Sequence, residues 1–507
     1  MKKRLFTMLL ALAVMFTMCF STGIAYAAED TTPEGTPIYT VEDLKAMENN
    51  PSGSYYLAAD IQLPADFAIF KYEYMKNNYF TGTLDGNGYK LIGYTVNHNG
   101  GWLEGGAFIG GAKGATLKNL HFTDVNVNIN SNSGFSAGVV LGYAPEACTL
   151  SNITLEGNVV LKGSGDYKTY KFGGIGYYNT GTLTSCYNKM NITADFSMTD
   201  GEVVIAGLSA FATGGPIKSC RNYGDITVNA RTDGYTKVTV LGIASSTAKF
   251  TSCRNTGDFT INFLDGCKVG KLNIAGVAGN TKETMTSCYN TGKITLKNVK
   301  NSRDMLVAGV VADGATVTKC YNKGAISLNG TATGNIGGVA ATAAKTTKSY
   351  NTGKINVTAD SGNMAIGGVV GYSYGMQNCY NTAAITLKQE SHDSMVGGLA
   401  GMADIWAGST LTNCYATGKV TGTTWYKGTL LGSYTGADIE HKRNIYNNYY
   451  TGSAKPYGTS EITWKDWTAK ATKVSSITTS SCPKLSTKTW TYSKDKKRLI
   501  LKDNKEK

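Results

Sequence analysis

The chain has 507 residues, a formal charge of +13, 61 Gly, only 8 Pro and 17% charged residues. Such a composition suits many short strands and tight turns and argues against long helices. The excess of Lys and Arg is spread thinly and clusters only weakly at the C-terminus, which sets nucleic acid aside as a partner. It leaves solubility, or attraction to an anionic cell wall or acidic glycan, as the role of the charge.

Lys2, Lys3 and Arg4 precede an apolar run from Leu5 to Phe20, and small residues follow at Ala25-Tyr26-Ala27. This is the layout of a secretory signal peptide over residues 1–27, and the run is shorter than a bilayer core requires. Without those three basic residues the mature chain carries +10. No later stretch is apolar enough to span a membrane, so an exported protein with no membrane span in its mature form is expected.

Residues 28–95 form an N-terminal cap and the first coils. Thr40 is an N-cap candidate, Glu42 and Asp43 suit a first helical turn, and Val41, Leu44 and Met47 fall on one side. A short helix covering an exposed β-edge is the expectation.

Residues 96–450 repeat. The step Ser185-Cys186-Tyr187-Asn188 recurs at Cys288-Tyr289-Asn290, Cys320-Tyr321-Asn322 and Cys379-Tyr380-Asn381. The Cys slot runs through Leu120, Ile153, Cys186, Cys220, Cys253, Cys288, Cys320, Ser349, Cys379, Cys414 and Ile445, at steps of 29 to 35 residues. A small pair and an aliphatic residue precede it, as in Ala137-Gly138-Val139, Gly173-Gly174-Ile175 and Ala275-Gly276-Val277. A Gly turn and an alternating strand follow, as in Gly292-Lys293-Ile294-Thr295-Leu296.

Each repeat thus reads as three short strands that cannot bury their own backbone edges, so neighbours must stack. The fold expected is all-β, a right-handed parallel β-helix of about eleven coils. At ~4.8 Å per coil it is roughly 50 Å long. Asn188, Asn222, Asn255, Asn290, Asn322, Asn351 and Asn381 share one slot and are expected to form an amide ladder suited to left-handed turn geometry.

The stretches Ile366-Gly367-Gly368-Val369 through Asn378-Cys379-Tyr380-Asn381, and Val396-Gly397-Gly398-Leu399 through Asn413-Cys414-Tyr415-Ala416, resemble the GLUG motif of bacterial surface and secreted proteins. Tyr55 to Ile61 and Phe80 to Tyr89 resemble the segment that opens such β-helices. The resemblance spans roughly Ile38 to Tyr450 and implies an adhesin-like or peptidase-associated surface module. Leu241-Gly242-Ile243 and Lys427-Gly428-Thr429-Leu430 lack the usual small pair, and local irregularity is expected there.

The repeat fades after Tyr450, and residues 451–507 read as a C-terminal cap and charged tail. Ile462 to Trp467 suits a short helix or turn, and Trp490-Thr491-Tyr492 with Leu499-Ile500-Leu501 a closing hairpin.

Seven cysteines occupy the repeat slot, and Cys148, Cys267 and Cys482 lie elsewhere. Because Leu120 and Ile153 share the slot, it asks for a small buried group, and free core thiols are expected over stacked disulfides. His98, His121, His392 and His441 are scattered, so no metal site and no cofactor are expected.

Two functional classes remain. Tyr187, Tyr289, Tyr321, Tyr350, Tyr380 and Tyr415 form a row, interrupted by Arg221 and Arg254, beside an inward-facing Cys. Exposed, it would bind a glycan or an extracellular protein by stacking; covered, it would be a structural stack. The alternative is a polysaccharide lyase or glycoside hydrolase, for which Asp225 and Asp258, in one slot of adjacent coils, are the nameable carboxylates.

Overall fold

A computed structural model describes residues 33–73, 78–232, 235–264, 267–404, 409–435, 444–458 and 470–506. Residues 1–27, His441 and Ile462 to Trp467 lie outside the described residues.

The register of pairing follows directly from the repeat. Tyr187 pairs with Arg221, Arg221 with Arg254, Arg254 with Tyr289 and Tyr289 with Tyr321, all in parallel. Continued along the chain, this gives a right-handed parallel β-solenoid of about eleven coils. Among the described residues its strands form two long sheets of 22 and 32 strands. One coil comprises five short segments, not three: Thr182–Thr184, Tyr187–Asn188, Asn191–Met198, Gly201–Ala206 and Ser209–Ala212. Each corner interrupts the ladder, which divides the coil more finely than the hydrophobic pattern alone suggests.

The corner before the Cys slot is set by a left-handed residue. Asn119, Asn152, Ser185, Ser219, Ser252, Ser287, Lys319, Lys348, Asn378, Asn413 and Asn447 all have φ between 47° and 57°. The left-handed position is therefore the residue before the Cys, and not the ladder Asn that the sequence suggested. Glycine is required at two other corners for a different reason. A Cβ on Gly276 would run into the Gly309 carbonyl and the Asn290 amide, and one on Gly292 into the Gly257 carbonyl. Close approach of backbones selects glycine at these corners.

The Asn ladder is continuous and fully buried. Each Nδ2 from Asn188 to Asn351 donates to the Oδ1 of the next Asn at 2.7–2.8 Å. The same Nδ2 donates to a backbone carbonyl two residues on, Gly292 in the case of Asn290. Buried amides are thereby satisfied without water.

The Cys column lies beside it, buried throughout, with free thiols. In several of the later coils the slot side chain also accepts a backbone hydrogen bond. The Cys253 N–H donates to Cys288 Sγ at 3.4 Å, that of Cys379 to Cys414 Sγ at 3.3 Å and that of Cys320 to Ser349 Oγ at 3.1 Å. An acceptor side chain takes an N–H that the left-handed corner turns out of the ladder. The last slot is accordingly Asn448, whose Oδ1 accepts from the Cys414 N–H at 3.0 Å, and not Ile445, which pairs with Leu411.

Leu241-Gly242 and Gly428-Thr429 keep the corner register, through the pairs Ala206 with Leu241 and Gly397 with Gly428. At the first of the small pairs the aligned corner is Gly138-Val139, because Gly138 pairs with Gly173.

At the N-terminus the helix Val41–Ala46 is held by a capping box between Thr40 and Asp43, and Leu44 and Met47 join the core. None of the described helices is long and apolar enough to cross a membrane. At the other end Ala471–Lys473 pairs with Asn448–Tyr450, so the solenoid runs past Tyr450. The hairpin Trp490–Ser493 with Arg498–Leu501 forms, but it lies against the flank of the solenoid. The charged tail is anchored rather than frayed: Asp503 pairs with Lys348 at 2.9 Å, and Asn504 Nδ2 donates to the Lys348 carbonyl at 2.9 Å.

Candidate binding surface

The tyrosine row divides into two halves. From Tyr289 to Tyr415 the rings stack coil on coil, with centroids 4.6–4.9 Å apart and planes within 10°. The spacing is the coil rise itself. Tyr321, Tyr350, Tyr380 and Tyr415 are buried, covered by Ile477, Cys482, Leu485, Trp490, Leu499 and Leu501 of the C-terminal segment. Tyr415 Oη donates to the Leu499 carbonyl at 2.6 Å and Tyr380 Oη to Glu506 at 2.7 Å. Of the two readings of the row, the covered stack holds at these four positions, and they are not an exposed binding stripe, because the C-terminal chain folds back along them. Tyr187 and Tyr289 are partly exposed.

Asp225, exposed, and Asp258, half-buried, occupy one slot of adjacent coils, as the repeat indicates. Asp225 Oδ1 accepts the Asp258 N–H at 2.8 Å, and Asp258 Oδ1 accepts the Lys293 N–H at 2.7 Å. Asn191 serves Asp225 in the same way at 3.1 Å. One oxygen of each carboxylate therefore extends a surface ladder between coils. Among the described residues no three His, Cys, Asp or Glu side chains are grouped as a metal would need.

A second aromatic surface lies on the other sheet. Tyr143 pairs with Tyr178, and Tyr178 with Phe211, so three aromatic side chains share one outward slot in successive coils. The rings of Tyr143 and Tyr178 stack at 5.3 Å, and Tyr72 lies 4.8 Å from Tyr143. Lys113 sits over Tyr79 at 4.6 Å and Lys171 over Phe211 at 4.7 Å. All of these residues are half-buried. Partial burial pushes the Tyr143 phenol up, and Tyr178, Tyr79 and Glu104 add to this.

Beside the row a cleft of about 330 Å³ is lined by Asp66, Lys71, Tyr72, His98, Leu103 and Glu104, among others. Its volume is that of a small-ligand site. Its walls are fixed by hydrogen bonds: Asp66 Oδ1 accepts the Asn97 N–H at 2.7 Å, and the His98 ring meets the Gly101 carbonyl at 2.8 Å. Tyr94, fully buried beneath, has its phenol raised by desolvation and by the charge of Asp66.

This surface is not marked by the Cys-Tyr-Asn step, which lies on the other sheet. The signal was present five residues after the first small corner residue, where Gly138, Gly173 and Ala206 lead to Tyr143, Tyr178 and Phe211.

The GLUG motif matches residues 392–421, a span that holds the corner Gly397-Gly398, the slot Cys414 and the buried Tyr415. No curated protein and no solved structure matches the chain. The chain thus carries a GLUG motif at residues 392–421 within a right-handed parallel β-solenoid whose slots stack in register through successive coils.

Proposed function

We propose that this chain is a secreted, non-catalytic scaffold of adhesin type that binds a glycan along the row Tyr143, Tyr178 and Phe211, next to the cleft bounded by Tyr72 and Glu104. The observation that carries the reading is the rigid presentation of half-exposed rings in one slot of successive coils. Flat rings held without rotamer freedom offer apolar faces to sugar C–H groups at low entropic cost. The cleft at the end of the row adds polar groups able to orient a terminal sugar. Export is supported by the basic, apolar and small-residue run that begins the chain, and retention at an anionic wall by the net positive charge. A scaffold role over a carbohydrate-cleaving one is supported by the engagement of Asp225 and Asp258 in backbone ladders.

The test is a glycan array probed with the wild-type chain and with Tyr143→Ala/Tyr178→Ala. Retained glycans should be lost by the double variant, at about 1 kcal/mol or more per ring. An unchanged profile, or cleavage of any retained glycan, would remove this reading.

A further inference from the structure

On the 32-stranded sheet, the uncovered half of the tyrosine row has a chemistry of its own. Two adjacent coils replace Tyr by Arg, so that Tyr187, Arg221, Arg254 and Tyr289 follow one another in register. The Arg221 guanidinium lies over the Tyr187 ring at 5.1 Å and donates to Tyr223 Oη at 3.1 Å. Arg254 donates to the same Tyr223 Oη at 2.9 Å and to Tyr289 Oη at 2.6 Å. Two guanidinia thus converge on one phenol, and that phenol belongs to an exposed residue, 36% accessible.

No carboxylate among the described residues pairs with either arginine. Arg254 Nε is buried without a hydrogen-bond partner. Partial burial alone would raise the Tyr223 phenol, yet the two guanidinia outweigh it and draw the phenol down. Like charges one coil apart, ~4.8 Å, repel each other, and neutral phenol oxygens do not cancel that repulsion. An oxyanion bridging the two forks would. Guanidinium forks match the geometry of a carboxylate or sulfate, and adjacent tyrosine rings match the face of a sugar.

We propose that Arg221 and Arg254, with the rings of Tyr187 and Tyr223, form a binding site for the carboxylate or sulfate group of an acidic polysaccharide. A peptide held by strand addition is disfavoured there, because these coils are paired on both sides and offer no open edge. The site is distinct from the Tyr143 row, so either can fail without the other.

The test titrates polygalacturonate, dextran sulfate and neutral dextran into the full chain by calorimetry. Four proteins are compared: wild type, Arg221→Gln/Arg254→Gln, Arg254→Lys, and Lys354→Gln/Lys419→Gln as a charge-matched control at exposed sites. Wild type should bind at least one acidic polymer and prefer it to dextran; polygalacturonate would identify a carboxylate and dextran sulfate a sulfate. The double arginine variant should bind about a hundredfold more weakly, and Arg254→Lys, which keeps the charge and removes the fork, about tenfold. The lysine control should change by less than about threefold. Equal losses in the control and the arginine variant would overturn the proposal, as would binding of neither acidic polymer.

Discussion

The indole of Trp490 lies 5.5 Å from the ring of Tyr415, although the two residues are 75 positions apart in the chain. It touches Tyr380 as well, at 5.9 Å, and is itself buried. The C-terminal segment thus contributes an aromatic plug to a stack built by the repeats. Trp490→Ala should cost about 3–5 kcal/mol of the segment's attachment. Hydrogen exchange should show residues 477–506 losing protection first, with the coils from Cys186 to Cys288 unchanged, since a solenoid transmits damage mainly to its neighbours.

Two tyrosines in the same stack should respond differently to loss of the hydroxyl. Tyr415 Oη donates to the Leu499 carbonyl, whereas Tyr350 Oη is buried with no partner among the described residues. Tyr415→Phe should destabilise by about 1 kcal/mol, and Tyr350→Phe should be neutral or mildly stabilising. Denaturant midpoints followed by the tyrosine signal distinguish the two outcomes.

Asn290 sits mid-ladder, donating to Asn322 and accepting from Asn255. Asn290→Ala leaves an Asn255 N–H and the Asn322 Oδ1 without their partner inside a dry core. The cost should be about 3 kcal/mol, concentrated in the two flanking coils. Exchange rates at Gly257 and Gly324 should rise more than those at Gly418.

Asp85 gives the first coils a pH dependence. Burial would raise its carboxyl, but Asn119 Nδ2 at 2.9 Å, the Asn87 N–H at 2.8 Å and Lys118 at 3.0 Å together hold it below the usual carboxylate range. A folded-state value below the unfolded one contributes stability at neutral pH, and the contribution is lost as pH falls below about 4 through the folded value. Asp85→Asn should therefore lower protection of the first coils at neutral pH, and the gap to wild type should close on acidification.

The repeat made the architecture legible because each slot answers to a local demand that recurs every coil. Asn222, Asn255 and Asn290 are spaced by the length of the coil, and their burial follows from the stacking that this spacing enforces. The left-handed corner was misplaced because Asn tolerates that geometry in general, while here Ser185, Lys319 and their equivalents adopt it. Which segment covers Tyr350 and Tyr380 was not legible. The covering depends on residues 477–506 returning across more than a hundred positions, and no local pattern encodes where a non-repeating segment docks. Conversely, the Tyr143 row was encoded at a fixed offset from the small corner and is recognisable only once the register is known.

The solenoid presents aromatic side chains on its early coils and seals those of its late coils under its own C-terminal chain. Nitration of native protein, mapped residue by residue by mass spectrometry, tests this most directly. Modification is predicted at Tyr143, Tyr178, Tyr187 and Tyr223, with Tyr350, Tyr380 and Tyr415 protected until the chain is denatured. Early modification of Tyr350, Tyr380 and Tyr415 in the folded protein would contradict it.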